Sequence, residues 1–384
     1  MYSIAAHGRN ARCLSLPPMK NTFFFLLFFL PLWICAQAPL RPGFDAGEYA
    51  DVLALNFGRY DSLVKAEGRP GGFRRIYVSR VTGLDNRWTA WQHNESRTVV
   101  LGVRGTVASN KSWLANIYSE MQPAAGVVQL NDSTRVPYRL AAGEGAAVHT
   151  GWLIALCSMT GDIERKIREL YDKGARNFII SGHSQGAAIA FLLRSYLHYR
   201  TLEGALPADI TYKTYCSAAP KPGNLVYAYD FDYINRGGWA HTVVNAADWV
   251  PETPLSLQQI RDLNPVNPLV NLKSALRRQK LPVRVYGNMV YNKLTRSGRK
   301  AVAKYQKFLG KRVGKEVRKI FPQLQLPGTH PGLDYMRAGS PVVLMPDTAY
   351  TARFPFDASH PQGVWVHHSF EAYYFLLRKD WGRP

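Results

Sequence analysis

The chain has 384 residues, of which 46% are apolar, 12% aromatic and 20% charged. This composition excludes a disordered or collagen-like chain, and the length suits either two average domains or one large α/β domain with insertions. Lys and Arg outnumber Asp and Glu by 48 to 27, so the formal net charge is +21. Such a surface favours anionic partners: acidic lipid, nucleic acid or acidic polysaccharide.

The N-terminus has the pattern of a secretory signal peptide. An apolar run of about 13 residues begins at Phe23, whereas a membrane span needs about 20. Lys20 precedes this run, and the small residues Ala36 and Ala38 follow it. A basic flank, a short apolar run and small residues at the cut predict a segment that is removed on export.

The predicted signal peptide covers residues 1–36, and Met19 is a candidate for the true start. Cleavage after Ala36 is preferred, because cleavage two residues later would place Pro39 next to the cut. What remains is predicted to be a single domain over residues 37–384. This protein would be exported, either to a periplasm or out of the cell.

Two cysteines, Cys157 and Cys216, remain after this cleavage. Export permits a disulfide between them. Two buried free thiols are the alternative, because cysteine is among the most commonly buried residues. Two cysteines without a framework spacing leave both interpretations open.

Strand-like and helix-like runs alternate from about residue 97 to residue 250. The predicted strands cover 97–106, 177–181, 212–219 and 241–248, and the predicted helices cover 162–175 and 187–200. This alternation is typical of βαβ units, so we predict an α/β fold with a mostly parallel central sheet flanked by helices. Functional sites in such sheets form at the carboxyl ends of the strands.

A strongly basic region, 271–320, follows the last of these strands. It holds 16 Lys or Arg and one acid, Glu316. Its apolar residues recur every three or four positions and would share one face of a helix; they are Val302, Tyr305, Leu309, Val313, Val317 and Ile320. We predict a basic helical insertion over about 256–340. It either binds an anionic membrane surface or caps the core with its charges solvated.

The strongest motif is Gly182-His183-Ser184-Gln185-Gly186, a G-x-S-x-G sequence between a predicted strand and a predicted helix. This context is typical of a nucleophile elbow, in which the serine hydroxyl projects from a strained turn. The flanking Gly182 and Gly186 leave room where a Cβ would clash. The amide of Gln185 would lie at a helix N-terminus and could donate to an oxyanion.

A serine hydroxyl needs an imidazole to take its proton and a carboxylate to hold that imidazole. With this elbow, the chain order is serine, then acid, then histidine. Asp248 is the predicted acid, because it directly follows the strand HTVVNAA. The competing Asp230 and Asp232 lie in an aromatic stretch without so clear a strand end.

The base should come late in the chain, where His360, His367 and His368 are candidates and His330 is a weaker one. If 364–368 is a strand, His367 and His368 point in opposite directions, so only one of them reaches the site. Adjacent histidines can also bind metal. No second carboxylate or cysteine cluster accompanies them, so we predict no metal and no cofactor.

Further motifs resemble those of the class 3 lipases, the fungal-lipase-like branch of the α/β-hydrolases. Besides G-H-S-Q-G, the motifs that carry the resemblance are Arg104-Gly105-Thr106, Val148-His149-Thr150-Gly151-Trp152, YCSAAPKPGN from Tyr215, DWVPETP from Asp248, and HSFEAY from His368. Trp152 replaces the phenylalanine of the family pattern. The matches run over about 97–254 and again near 365–377.

The resemblance implies the α/β-hydrolase fold, and it selects His368 over His367. It also implies that Thr106 and Gln185 form the oxyanion hole, and that 107–121 acts as a lid whose apolar side chains could equally be core. The implied function is that of an exported serine ester hydrolase, a triacylglycerol or phospholipid lipase working through an acyl-enzyme.

Two alternatives remain, because a fold does not fix a substrate. One is a non-lipid carboxylesterase on the same scaffold, and the less favoured one is a non-catalytic module that binds anionic surfaces. If 271–320 binds a partner rather than capping the core, the expected partner is an anionic membrane surface. Nucleic acid is not expected, because the chain is predicted to be exported and has no recognisable nucleic-acid-binding motif.

Overall fold

The structure, a computed structural model, describes residues 39–68, 71–357, 359–360 and 363–382. The predicted signal peptide, 1–36, lies outside these residues. The described residues belong to one compact unit. Within the described residues, no helix combines the length and the apolar character that crossing a bilayer requires.

The described residues form thirteen strands in three sheets. In chain order they are β1 (Phe73–Val78), β2 (Trp88–His93), β3 (Val99–Val103), β4 (Met121–Pro123), β5 (Ala125–Asn131), β6 (Thr134–Arg139), β7 (Ala147–His149), β8 (Asn177–His183), β9 (Thr211–Ser217), β10 (Gly223–Asn224), β11 (Ala240–Asn245), β12 (Tyr335–Met336) and β13 (Ser340–Leu344).

Twelve α-helices are found in the same part of the chain. They are α1 (Ala46–Asn56), α2 (Tyr60–Glu67), α3 (Asn110–Ile117), α4 (Thr150–Cys157), α5 (Thr160–Asp172), α6 (Gln185–Leu202), α7 (Leu225–Ile234), α8 (Leu272–Arg277), α9 (Leu281–Tyr305), α10 (Val313–Ile320), α11 (Thr348–Arg353) and α12 (Phe370–Trp381).

The central sheet has seven strands in the order β1-β2-β3-β8-β9-β11-β13. Within this sheet, the neighbouring strands β3, β8, β9, β11 and β13 pair in parallel. The pairs β1-β2 and β2-β3 are antiparallel. The predicted α/β class, with a mostly parallel central sheet flanked by helices, is confirmed. The remaining strands form a four-stranded sheet, β12-β10-β7-β4, and the hairpin β5-β6.

The inner strands of the central sheet, β3, β8, β9 and β11, are buried on both faces. Successive side chains of a strand point to opposite faces, so each of these strands contributes to two cores. On β8, Phe178 and Ile180 join the core that contains α4, α5 and α6, whereas Ile179 joins the core that contains α1 and α12. A parallel strand buried on both faces reads as the continuous apolar run seen in the sequence. The carboxyl end of β8 is thereby fixed between two helical layers.

The basic insertion is helical. It consists of α8, α9, a π-helical turn at Gln306–Arg312, and α10. The one helix predicted across 302–320 is therefore interrupted by the π turn. A π turn rotates the following side chains around the helix axis relative to a continuous α-helix. Such turns occur often at functional sites.

The two cysteines are free thiols, and both are buried. Cys157 ends α4 and Cys216 lies on β9. Burial raises the pKa of both thiols, because a thiolate would lose its hydration there. Of the two interpretations left open by the sequence, the structure therefore has the buried free thiols.

Candidate active site

Ser184 occupies the sharp turn between β8 and α6. Its backbone has φ +60° and ψ −131°, a strained conformation for a residue with a side chain. A Cβ on Gly182 would lie 2.3 Å from the carbonyl carbon of Gly186, and one on Gly186 would lie 2.1 Å from the Val103 oxygen. Only glycine fits at either position, so the backbone packs closely enough to hold the turn.

Asp248 and His368 form a hydrogen-bonded pair beside this turn. The His368 Nδ1 lies 2.7 Å from Asp248 Oδ2, and both side chains are largely buried. The Tyr373 hydroxyl donates to the same oxygen over 2.8 Å, and the Val250 amide donates to Asp248 Oδ1 over 3.0 Å. A carboxylate held in this way keeps the imidazole proton on Nδ1 and leaves Nε2 able to accept one.

The competing acids have other partners in the structure. Asp230, on α7, accepts the Tyr199 hydroxyl, and Asp232 accepts the Gly339 amide. These contacts place both carboxylates away from the pair formed by Asp248 and His368.

The competing histidines also have other partners. His367 Nδ1 contacts the Tyr350 hydroxyl at 2.7 Å, and His330 Nδ1 accepts the Gly332 amide. His360 lies exposed in the loop after α11. Residues 363–368 form a 3-10 turn rather than a strand, so the alternation argument for His367 and His368 does not apply.

His183, inside the elbow motif, links β9 to the turn that carries His368. Its Nε2 lies 3.0 Å from the backbone oxygen of His368, which can only accept, so Nε2 carries the proton. Its Nδ1 then accepts the Ser217 hydroxyl at 3.1 Å. Burial, together with the nearby His368, lowers the pKa of His183 well below its usual value. A neutral imidazole with both nitrogens bonded fits a structural role.

A single cavity of about 850 Å³ brings the predicted site residues together. Ser184, His368, Thr106 and Gln185 all line it, while Asp248 lies behind His368. The apolar part of its wall comes from distant segments; among its residues are Trp113, Ile117, Trp249, Leu255, Tyr305, Leu309 and Trp365. A cavity of this volume whose wall is more apolar than polar is typical of a site for a largely apolar small molecule.

Asn116, a residue that the sequence did not single out, sets the direction of the Thr106 hydroxyl. Trp152 Nε1 can only donate, and it donates to Asn116 Oδ1 over 3.2 Å, so the amide orientation is fixed. Asn116 Nδ2 therefore donates to Thr106 Oγ1 over 3.0 Å. Because Thr106 Oγ1 accepts this bond, its own hydrogen is left to point elsewhere.

The Gln185 side chain connects the elbow to α3. Its Nε2 donates to the Ser112 backbone oxygen over 2.9 Å and to Asn116 Oδ1 over 2.8 Å. The segment that the resemblance implied as a lid, 107–121, is thus bonded to the site through α3. Of its apolar residues, Trp113 and Ile117 line the cavity, whereas Leu114 packs against the core.

The basic insertion also contributes to the cavity. Tyr305 and Leu309, at the end of α9 and in the π turn, lie in its wall. The same π turn packs closely against Glu120, because a Cβ on Gly310 would lie 2.3 Å from Glu120 Oε2. The sequence placed Tyr305 and Leu309 on an apolar stripe, but it gave no signal that this stripe reaches the site.

His149 packs behind Trp152, a residue that lines the cavity. It is fully buried, and its ring stacks on Trp152 with centroids 3.7 Å apart. Its Nε2 donates to the Asn116 oxygen, and its Nδ1 accepts the Trp152 amide. Burial lowers its pKa to about 3, although the bond to Asn116 favours the proton.

We therefore expect His149 to destabilise the fold in acid. In the unfolded chain His149 binds a proton below about pH 6.5, whereas in the folded chain it stays neutral down to about pH 3. The free energy of unfolding therefore falls as the pH is lowered from 6.5 towards 3. The slope is about 1.4 kcal/mol per pH unit for one such group. The free energy of unfolding can be measured with urea at several pH values between 4.5 and 7. His149→Gln should lower its slope against pH by about 1.4 kcal/mol per pH unit, the contribution of one proton. Equal slopes would contradict a neutral, buried His149.

Comparisons with known proteins agree with the motif analysis. Residues 100–258 match the model of the family described as Lipase (class 3). The resemblance to the class 3 lipases is therefore confirmed over a region that includes Ser184 and Asp248.

Curated relatives match over a similar share of the chain. A secreted mono- and diacylglycerol lipase of Malassezia globosa, MDL4, is 26% identical over 170 residues, or 43% of this chain and 49% of that protein. Secreted mono- and diacylglycerol lipase 3 of Gibberella zeae is 28% identical over 163 residues, or 42% and 46%. The chain thus spans about half the length of these relatives.

Among solved structures, the chain is similar to a triacylglyceride lipase of Rhizomucor miehei. The similarity has a TM-score of 0.39 at 18% identity, and it covers 56% of this chain and 77% of that one.

Proposed function

We propose that the chain is a serine ester hydrolase of the lipase type, a carboxylic ester hydrolase with Ser184 as nucleophile, His368 as base and Asp248 as the group that orients the base. The observation that carries the proposal is one cavity lined by Ser184, Thr106, Gln185 and His368, with His368 Nδ1 bonded to Asp248. These are the parts that acyl transfer from an ester requires.

The reaction follows from this arrangement. Ser184 Oγ attacks the ester carbonyl carbon while His368 Nε2 takes the hydroxyl proton, and the carbonyl electron pair moves to oxygen. The imidazolium of His368 then gives its proton to the departing alkoxide, which leaves an acyl-enzyme. Water attacks this ester with His368 again as base. The fatty acid departs and the Ser184 hydroxyl is restored.

The oxyanion formed in both steps needs donors that are already in place. The amide of Gln185, at the start of α6, is one proposed donor. Thr106 is the other, through its amide and its hydroxyl. The bond from Asn116 supports the hydroxyl, because it occupies an acceptor site of Thr106 Oγ1 and leaves the hydrogen free to point into the cavity.

Removal of the Thr106 hydroxyl tests this assignment. Thr106→Val keeps the branched shape and the amide but loses the donor, so we expect kcat to fall by about 10²- to 10³-fold with little change in KM. Thr106→Ser, which restores a hydroxyl, should recover most of the rate. A valine variant as fast as the parent would mean that backbone amides alone stabilise the oxyanion.

The apolar wall of the cavity supports a lipid ester as substrate, either a glyceride or a phospholipid. Trp113, Trp249 and Trp365 lie together at the wall, with Trp365 5.0 Å from Trp249 and 6.1 Å from Trp113 between ring centroids. The names of the curated relatives, secreted mono- and diacylglycerol lipases, support glycerides and export. We accordingly propose that the protein is exported and that residues 1–36 are its signal peptide.

An ester series tests the substrate class. We expect kcat/KM on p-nitrophenyl esters to rise from acetate towards palmitate, because each buried methylene adds about 0.8 kcal/mol of binding until the wall is filled. The Ser184→Ala protein serves as the blank. A maximum at acetate would instead identify a non-lipid carboxylesterase, and silence across the series would contradict the proposed function.

A further inference from the structure

The basic insertion divides into two halves with different surroundings. The inner half packs on the protein: Val302, Val313 and Val317 are buried, and Leu309 lines the cavity. The outer half, α8 and α9 as far as Lys300, is exposed to solvent over most of its length. Of the two roles that the sequence left open, capping of the core therefore describes the inner half alone.

The outer half exposes an unusual number of large apolar side chains. In the first nine residues of α9, five of them are between 52% and 66% exposed; they are Leu281, Val283, Val285, Tyr286 and Met289. Single apolar residues on a surface are ordinary, but a contiguous group of them marks an interaction site.

All the charged residues of the same outer half are basic. Residues 271–300 contain nine Lys or Arg, and no Asp or Glu occurs anywhere between 263 and 315. The two properties share one face of α9, since Tyr286, Met289, Lys293, Arg296 and Lys300 follow one another at spacings of three or four and all are exposed. We call these five residues the outer stripe.

The opposite face of α9 holds the helix in place. Gly287 lies against Leu276 of α8, where a Cβ would come within 2.5 Å of Leu276 Cδ2. Val302 is buried and Tyr305 lines the cavity. A helix of 25 residues is about 37 Å long. The outer stripe is therefore carried on an element whose far end forms part of the wall of the candidate active site.

We propose that the outer stripe binds the surface of a bilayer that contains anionic phospholipid. Its cations would pair with lipid phosphates, and Tyr286 and Met289 would enter the boundary between head groups and acyl chains. The reason for such binding, delivery of a lipid ester to the cavity, rests on the proposed function; the binding itself does not.

Other occupants fit this face less well. An anionic polysaccharide would satisfy Lys293, Arg296 and Lys300 but would leave the neighbouring apolar side chains in water. A second copy of the chain would cover the apolar residues but would bring two strongly basic surfaces together. A bilayer with anionic lipid accommodates both kinds of side chain at once.

Vesicle partitioning tests the proposal. The full chain carrying Ser184→Ala, which cannot consume the lipid, is mixed with phosphatidylcholine vesicles with and without phosphatidylglycerol, and the partition coefficient is measured by co-sedimentation. A triple variant, Lys293→Gln, Arg296→Gln and Lys300→Gln, removes the charges of the outer stripe. At about fivefold for each cation near the surface, it should lose about 100-fold on anionic vesicles and little on neutral ones.

A matched control removes the same charge elsewhere. Lys65→Gln, Arg80→Gln and Arg135→Gln change three exposed residues outside the insertion, and this protein should bind as the parent does. A second variant, Tyr286→Gln with Met289→Gln, keeps every charge and should lose at least about tenfold. Glutamine is a good helix former, and circular dichroism should show unchanged helicity in all variants.

Four results would overturn the proposal. The outer-stripe charge variant could bind anionic vesicles as well as its parent, or the control could lose as much as that variant, which would indicate net charge alone. The Tyr286 and Met289 variant could bind vesicles normally while the parent is retained on heparin, which would indicate a polymer. It could also abolish self-association in sedimentation analysis, which would indicate a second copy.

The failure of the proposed function would look different. The charge variant with Ser184 intact should hydrolyse a soluble short-chain ester at the parental rate, because the outer stripe does not line the cavity. If the parent binds anionic vesicles through the outer stripe but hydrolyses no ester, the surface stands and the enzyme assignment falls. If the parent hydrolyses esters but the outer-stripe variants bind anionic vesicles as the parent does, the enzyme assignment stands and the proposed surface falls.

Discussion

Replacement of Ser184 by alanine is expected to lower kcat on p-nitrophenyl esters by roughly 10⁴- to 10⁶-fold, with little change in stability. The proposed mechanism has no substitute for this hydroxyl. Ser184 is the proposed nucleophile, and it lines the cavity together with His368. Alanine removes only the oxygen and keeps the Cβ that the turn already accommodates at φ +60°.

Ser181→Ala is the matched control. Ser181 lies three residues earlier on β8, is fully buried, and accepts a bond from Asn56 Nδ2 over 2.8 Å. Its loss should lower the melting temperature but change kcat by less than about threefold, because it does not line the cavity.

A covalent probe separates a missing nucleophile from a damaged site. A fluorophosphonate should label the parent and the Ser181→Ala protein once, at Ser184, and should leave the Ser184→Ala protein unlabelled. Labelling of the alanine variant, or residual activity within tenfold of the parent, would place the nucleophile elsewhere.

The elbow could be predicted because its determinants are local. A buried strand, a glycine on each side of the serine and an apolar helix lie within one short stretch, and each is visible in the sequence. The predicted strand over 177–181 corresponds to β8, Asn177–His183, and the predicted helix over 187–200 corresponds to α6, Gln185–Leu202.

The choice among late histidines depended on tertiary contacts. Residues 363–368 form a 3-10 turn, and side chains from other segments hold its carbonyl groups. Asn245 donates to the His367 oxygen over 2.9 Å, and His183 Nε2 lies 3.0 Å from the His368 oxygen. No periodicity within the turn encodes these partners. The residues alone therefore left three candidates and the weaker His330, and the family resemblance was needed to select His368.

The role of Asn116 was not visible for the same reason. Its amide bonds to Thr106, Trp152 and Gln185, which come from different segments of the chain. In the sequence it is one polar residue on a short helix, and such residues are usually solvated. The division of the basic insertion into a packed half and an exposed half also escaped prediction, because its apolar stripe runs through the π turn without a break in spacing.

Asp248→Asn is expected to lower kcat by about 10⁴-fold while leaving KM and the fold nearly unchanged. The contacts explain why so small a change matters. The Val250 amide donates to Oδ1, so the oxygen of the introduced amide must remain there, and its NH₂ must then face His368 Nδ1. A donor at that point forces His368 to accept at Nδ1 and to carry its proton on Nε2, where it can no longer take the proton of Ser184.

Tyr373→Phe distinguishes this tautomer effect from a general loosening of the site. It removes the hydroxyl that donates to Asp248 Oδ2 over 2.8 Å but keeps the carboxylate and the packing of a fully buried ring. Because His368 still donates to a carboxylate in that variant, we expect kcat to fall by less than about tenfold. Equal losses in the two variants would mean that Asp248 acts through packing. An Asp248→Asn enzyme within tenfold of the parent would reopen the choice of acid among Asp248, Asp230 and Asp232.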